Sequence, residues 1–502
     1  MQPAWGRISR GGILALALLP SGAAAQAPLS AIDWLAEDRA GDIAAQPQSP
    51  LPPQIDARPL APLAGAVGLV PPEASGLPAT LWQGSEPRRL ARLIADSPAA
   101  RYPALRELLY ALLLTEAAPP GMSDPGDRLL LARVDKLMDL GAVAPARALI
   151  EAADATASPA RFARWGDAGF LLGLEDGVCA ALARKPHLAP DLATRIFCLA
   201  QTGDRPGALL LFQAGLALEA LDPVTAPALG RWLRAETPAD RSPLASPRAP
   251  GALLFRLHGL IGEPLPTAPL PRRFAVADLG AAAGWKARIE AAERLVRTGA
   301  LPAASLVELY LARRPAASGG IWARVAAVQA FQAALGSEDV AAIAATLTPV
   351  WDQMRRAGLS AAFAEIYADA LARVPLPDPE AARAAFEVTL LAPEAPVLAS
   401  RTAPPATGDR AGFWLALAQG HRDATPPSDA LSQAVAAGFA APLAAITSTR
   451  LGEQILQAIA GFDRGAAGNL ADMTQAIALL RALGLEAEAR RAAVALLVDR
   501  EG

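Results

Sequence analysis

Residues 130–153 read LLARVDKLMDLGAVAPARALIEAA, and no other stretch limits the fold of this chain so strongly. Apolar positions recur at helical spacing, Gly141 interrupts them, and a second helical pattern follows across a Pro-bearing turn. Glycine just past a helix takes the left-handed conformation without a Cβ penalty, so the chain reverses there. Gly173 repeats the punctuation 32 residues later and Gly203 a further 30 residues on. That period is expected of two-helix units, each of which buries its apolar face only by stacking on its neighbours. A small residue five positions after the glycine lets the returning helix lie close. Gly141 has Ala146, Gly203 has Ala208, Gly299 has Ala304, Gly336 has Ala341 and Gly484 has Ala489.

Composition agrees with the pattern. Ala and Leu dominate and aromatics are only 5% of the chain, whereas strands favour β-branched and aromatic residues. The prediction is an all-α protein with two arrays of antiparallel helical hairpins, an α-solenoid, at residues 88–236 and 252–502. Pro, Ser and charge replace the periodicity at 237–251, which reads as a linker. The unit at 195–218, RIFCLAQTGDRPGALLLFQAGLAL, resembles a tetratricopeptide repeat, with Gly203 at the turn, Ala208 in the second helix and Phe212 at a position where that family often carries an aromatic. The resemblance implies a helical-repeat fold and a protein- or peptide-binding role. The Trp-Leu-Gly-Tyr signature of the first helix is missing, Gly173 lacks a small partner, and the spacing becomes irregular after 220.

Ahead of the helical body, residues 1–25 have the three parts of a secretory signal: Arg7 and Arg10, the apolar run Ile13 to Leu19, and Ala23-Ala24-Ala25 before a cleavage point. The expectation is an exported, periplasmic protein with Gln26 at its mature N-terminus. No stretch reaches the uninterrupted apolar length of a membrane helix, so an integral membrane protein is not expected. Residues 26–87 read as a flexible Pro-rich linker carrying a short helical motif at 30–37. Trp34 and Leu35 in that motif, and Trp82 further on, either anchor the segment to the protein's own helices or present bait to a partner.

Chemistry-bearing patterns are sparse. Two cysteines in an exported chain suggest a disulfide, and Cys179 and Cys198 lie at similar distances from the turn near Pro186 to Pro190, so antiparallel helices joined there bring them level. Three histidines, His187, His258 and His421, have no second ligand at metal spacing, and no metal or other cofactor is expected. Nucleophile-elbow, Ser-x-x-Lys and phosphate-loop motifs are absent. The acidic pairs Glu175-Asp176 and Glu338-Asp339, and Glu380, sit where helix N-termini attract negative charge. The net charge is -3 with signs interspersed, and no run of Lys or Arg forms a stripe, so nucleic acid is not an expected partner. Lys appears only at 136, 185 and 286; the excess of Arg reads as base composition.

The most distinctive loop of the second half is RRPAASGGIW, residues 313–322. Arg313, Arg314 and Trp322 suit an anionic or glycan site, or, on the structural side, Ser318 caps the next helix while Trp322 packs inward. The functional expectation is a non-enzymatic scaffold or adaptor for a protein or peptide partner in an envelope assembly. A peptidoglycan-acting enzyme with a helical superhelix and a plain structural spacer are the alternatives. Lytic transglycosylases of that shape set their catalytic Glu in a Glu-Ser context followed by a Gly-Leu-Met-Gln-like segment, and neither is present.

Overall fold

The computed structural model describes residues 65–98, 101–121, 124, 126–235, 242–399, 401–402, 409–421, 424–443 and 448–500. Within them the chain is all-helical, without strands; two isolated bridges, Val67 with Ala117 and Val70 with Thr115, tie down the start of the body. Trp34 and Leu35, together with the export signal expected at 1–25, lie outside the described residues.

Successive helices pack on one another through most of the chain. Arg128–Leu140 pairs with Val143–Ala152, that helix with Pro159–Leu172, and Leu192–Gln201 with Arg205–Ala217. Later, Gly320–Ser337 pairs with Val340–Arg356, and Leu451–Ala466 with Leu470–Ala482. The turn glycines behave in two ways. Gly141 closes its helix at φ 85° and packs tightly, because a Cβ there would overlap Leu295 Cδ2 and stand 3.2 Å from Arg272 Cγ. Gly203 is also left-handed but looks into open space.

Two details depart from the glycine reading. Gly336 lies inside its helix, which runs on to Ser337; Glu338 makes the left-handed turn at φ 55° and Asp339 caps the next helix. Ala304 is exposed, and Ala303 takes the buried place behind Gly299. Gly173 does end a helix, and the close approach its unit needs comes from Gly169 on the preceding helix, where a Cβ would stand 2.6 Å from Val178. Spacing from a turn cannot specify which of the two facing helices supplies the missing side chain.

Arginine does recurrent structural work. The last carbonyls of a helix have no partner within it, and a guanidinium from a neighbouring element answers them. Arg205 donates to Trp232 O and Leu233 O, Arg297 to Ala357 O, Arg106 to Arg297 O, and Arg481 to Gly438 O and Ala441 O. The planar fork reaches two carbonyls at once, which an ammonium does less well. The Arg excess therefore has a structural use in this fold.

The body also closes across the chain. Pro103–Leu114 packs on Glu486–Arg500, and Pro87–Asp96 on Leu451–Ala466. Arg89 Nε donates to Glu453 at 2.5 Å and Arg491 grips Glu107 through both outer nitrogens at 2.9 and 3.1 Å. Contacts likewise cross residues 237–251: Arg256 pairs with Glu175, and Thr298 Oγ1 donates to Leu140 O.

Candidate functional site

Cys179 and Cys198 form a disulfide with their Cα atoms 4.6 Å apart. Cys179 lies in Glu175–Arg184 and Cys198 in Leu192–Gln201, joined by the short 3-10 turn Pro186–Leu188, and both side chains are buried. The bridge is structural: no reactant reaches either sulfur from solvent.

The aromatic candidates are spread over the body. Trp82 is fully buried beneath Gly452, where a Cβ would fall 2.7 Å from its ring. Residues 65–86, read from sequence as linker, are packed through Leu77, Leu81 and Trp82. Trp322 is half-buried, its ring 5.0 Å from that of Trp285, whose indole nitrogen donates to Leu309 O. Gly319, not Ser318, occupies the N-cap of the following helix, and both Gly319 and Gly320 have positive φ. Arg313 is exposed and Arg314 is exposed beside it; Gln329 holds the loop by donating to Tyr310 O and Arg313 O.

Behind that loop sits a buried polar network. Arg324 meets Glu293 through three contacts of 2.6–2.8 Å, and Tyr310 donates its hydroxyl to the same carboxylate at 2.8 Å. Glu293 also receives Arg297 at 3.1 Å. With its members partnered, the network locks three helices together. His187 and His421 are exposed, whereas His258 is buried, with Nδ1 3.3 Å from Glu263 O and a pKa lowered by burial. Among the described residues no group of three His, Cys, Asp or Glu is placed to hold a metal ion, and no described helix is long and apolar enough to cross a membrane.

An open groove of about 870 Å³ lies among the described residues, and the sequence reading missed it. Its walls are the helices Pro87–Asp96 and Arg128–Leu140, with Arg164 reaching in from Pro159–Leu172. Two buried cations on one helix set this arrangement. Arg133 donates to Leu113 O, Val67 O and Thr115 O at 2.8–3.0 Å, and burial pushes its pKa down to about 10. One turn along, Lys136 donates to Ala95 O at 2.9 Å and Ser97 O at 2.7 Å, and burial lowers its pKa too.

Lys136 thereby ties the late part of its own helix to the end of Pro87–Asp96. Their first turns, bearing Arg88 and Arg128, share one end of the groove. Positive helix-dipole ends add there to the guanidinium charges. Arg88 and Arg92, one turn apart, are exposed and make no ion pair among the described residues, while Arg128 stands 3.8 Å from Asp124. Toward the other end Asp135 is gripped by Arg164 at 3.0 Å and Asp139 is 3.6 Å from Arg273. Ala91, Ala95, Leu131 and Ala132 give the groove apolar ground between the charges. The signal in the sequence was the spacing of Arg88 and Arg92, readable as one helical face; that Arg128 faces it required the fold.

No protein-family model matches the chain, and neither does any curated protein or solved structure.

Proposed function

We propose that this chain is an exported helical-repeat scaffold, solenoid-like in its successive hairpins, that binds a protein or peptide partner in an envelope assembly. The observation that carries the reading is the open groove between two helices, about 870 Å³, lined by small apolar residues and by charges of both signs. Such a groove accepts an extended segment along its length and offers backbone and side chains repeated contact. The buried disulfide fits an oxidising compartment, in keeping with the secretory pattern of residues 1–25. The exposed pair Arg313 and Arg314, in the loop that ends at the half-buried Trp322, is a second surface available to a partner.

The test is capture from envelope extracts with the full chain as bait. The expected result is one partner recovered in stoichiometric amount and crosslinked through residues of the groove or of the 313–322 loop. Turnover of purified peptidoglycan by the isolated protein would overturn the scaffold in favour of an enzyme. Recovery of no partner and no turnover would leave the structural spacer.

A further inference from the structure

We infer that the N-terminal end of the groove is a receptor for an acidic peptide segment, one whose Asp or Glu side chains sit on Arg88, Arg92 and Arg128. The inference rests on the scaffold reading and adds the chemistry of its partner. Three independent features of that end agree. Arg88 and Arg92 are solvent-exposed cations without a carboxylate of their own among the described residues, in a chain whose net charge is -3. Arg128 faces them from the opposite wall, held only at 3.8 Å by Asp124. Both walls bring the first turn of a helix to the groove, through Arg88 on one and Arg128 on the other.

The remaining lining decides between kinds of anion. Asp135 and Asp139 line the same groove beyond the arginine end, so a closely spaced row of phosphates running along it meets repulsion. A peptide spaces its charges and places apolar side chains between them, matching Ala91, Ala95 and Leu131. From Arg128 to Asp139 the wall rises about 17 Å at 1.5 Å per residue. That length takes an extended segment of about five residues. Its acidic end would lie at Arg88 and Arg128, and a basic residue at the far end would meet Asp139.

The experiment is fluorescence anisotropy with a labelled Glu-Glu-Ala-Leu-Lys peptide, a labelled octalysine peptide and a labelled dT12 oligonucleotide on the full chain. The expected result is binding of the Glu-Glu-Ala-Leu-Lys peptide alone, weakened about tenfold or more in R88E/R92E, which corresponds to at least about 1.4 kcal/mol. The double substitution places acids in the first two turns of an exposed helix face, where the dipole tolerates them, so folding is retained. R195E, a reversal at an exposed arginine outside the groove, is expected to leave binding unchanged. Absence of binding by the Glu-Glu-Ala-Leu-Lys peptide, an equal loss in R195E, or tighter binding of dT12 would each overturn the inference. Envelope capture with R88E/R92E separates the two readings. If the stoichiometric partner is still recovered, the scaffold stands and the groove assignment falls; loss of that partner together with the peptide supports both.

Discussion

Replacing Gly141 by alanine tests whether the turn glycines act through backbone conformation alone or also through packing. Two costs apply at Gly141. An alanine held in the left-handed region costs about 1–2 kcal/mol. In addition its Cβ would overlap Leu295 Cδ2 and press on Arg272, and overpacking of a filled site costs about 1–3 kcal/mol. Leu295 has little freedom to yield, being buried against Ala275 and Ala291. Gly203 supplies the control, since it is also left-handed but has nothing within 4 Å of the place a Cβ would take. Gly203→Ala therefore bears the backbone cost alone, and the stabilising loss of unfolded-chain entropy is common to both variants. Urea unfolding followed by circular dichroism is expected to show G141A less stable than G203A by about 1–3 kcal/mol at unchanged m-value. Equal shifts in the two variants would mean that Leu295 swings aside freely, and would refute the claim that this turn is braced by the helix carrying Leu295.

Three further outcomes follow from buried and half-buried groups. Arg133→Ala strands three backbone carbonyls, and is expected to cost about 3–5 kcal/mol in thermal or urea unfolding; Arg133→Lys rescues only part of it, because an ammonium cannot span all three. Thiol labelling of unreduced, denatured protein should find no free cysteine, and reduction should lower stability by about 3 kcal/mol for a loop of this length. Asp499 has its pKa raised by burial, with Arg101 and Arg355 opposing, so the folded state favours the neutral acid. That contribution is whole below the ordinary carboxylate pKa and is lost as pH rises through the raised one. Asp499→Asn should accordingly stabilise the protein at pH 7 and do little at pH 3.5; a gain of the same size at both values would remove titration as the cause.

The helical hairpins were legible because their signal is local. Periodicity and a glycine near 141, 173 and 203 marked reversals that the fold contains. The pairing of Cys179 with Cys198 was legible for the same reason, since one short turn sets both helices. Gly336 misled because periodicity does not say where a helix stops, and Asp339 capping the next helix fixed the end two residues later. Helix-capping arginines were invisible: their partners are backbone carbonyls, which every residue has and no sequence pattern distinguishes. Trp82 is buried through a glycine far along the chain, so no local reading separates it from an exposed aromatic. The groove was hidden for a related reason, its two walls being separated by the intervening helix Pro103–Leu114.

Closure of the body has a consequence in time. Arg89 waits for Glu453, 364 positions later, and Arg491 returns to Glu107 across 384. At about 5–20 residues per second of synthesis, the first helices stay without those partners for about 20–70 s. During that interval the apolar side chains of Pro87–Asp96 and Pro103–Leu114 have nothing to cover the sides that later meet the C-terminal helices. Contacts of such range also slow the final folding step, because loop closure precedes the reward. A truncation that removes the last helix thus strands the beginning of the body as well as its end.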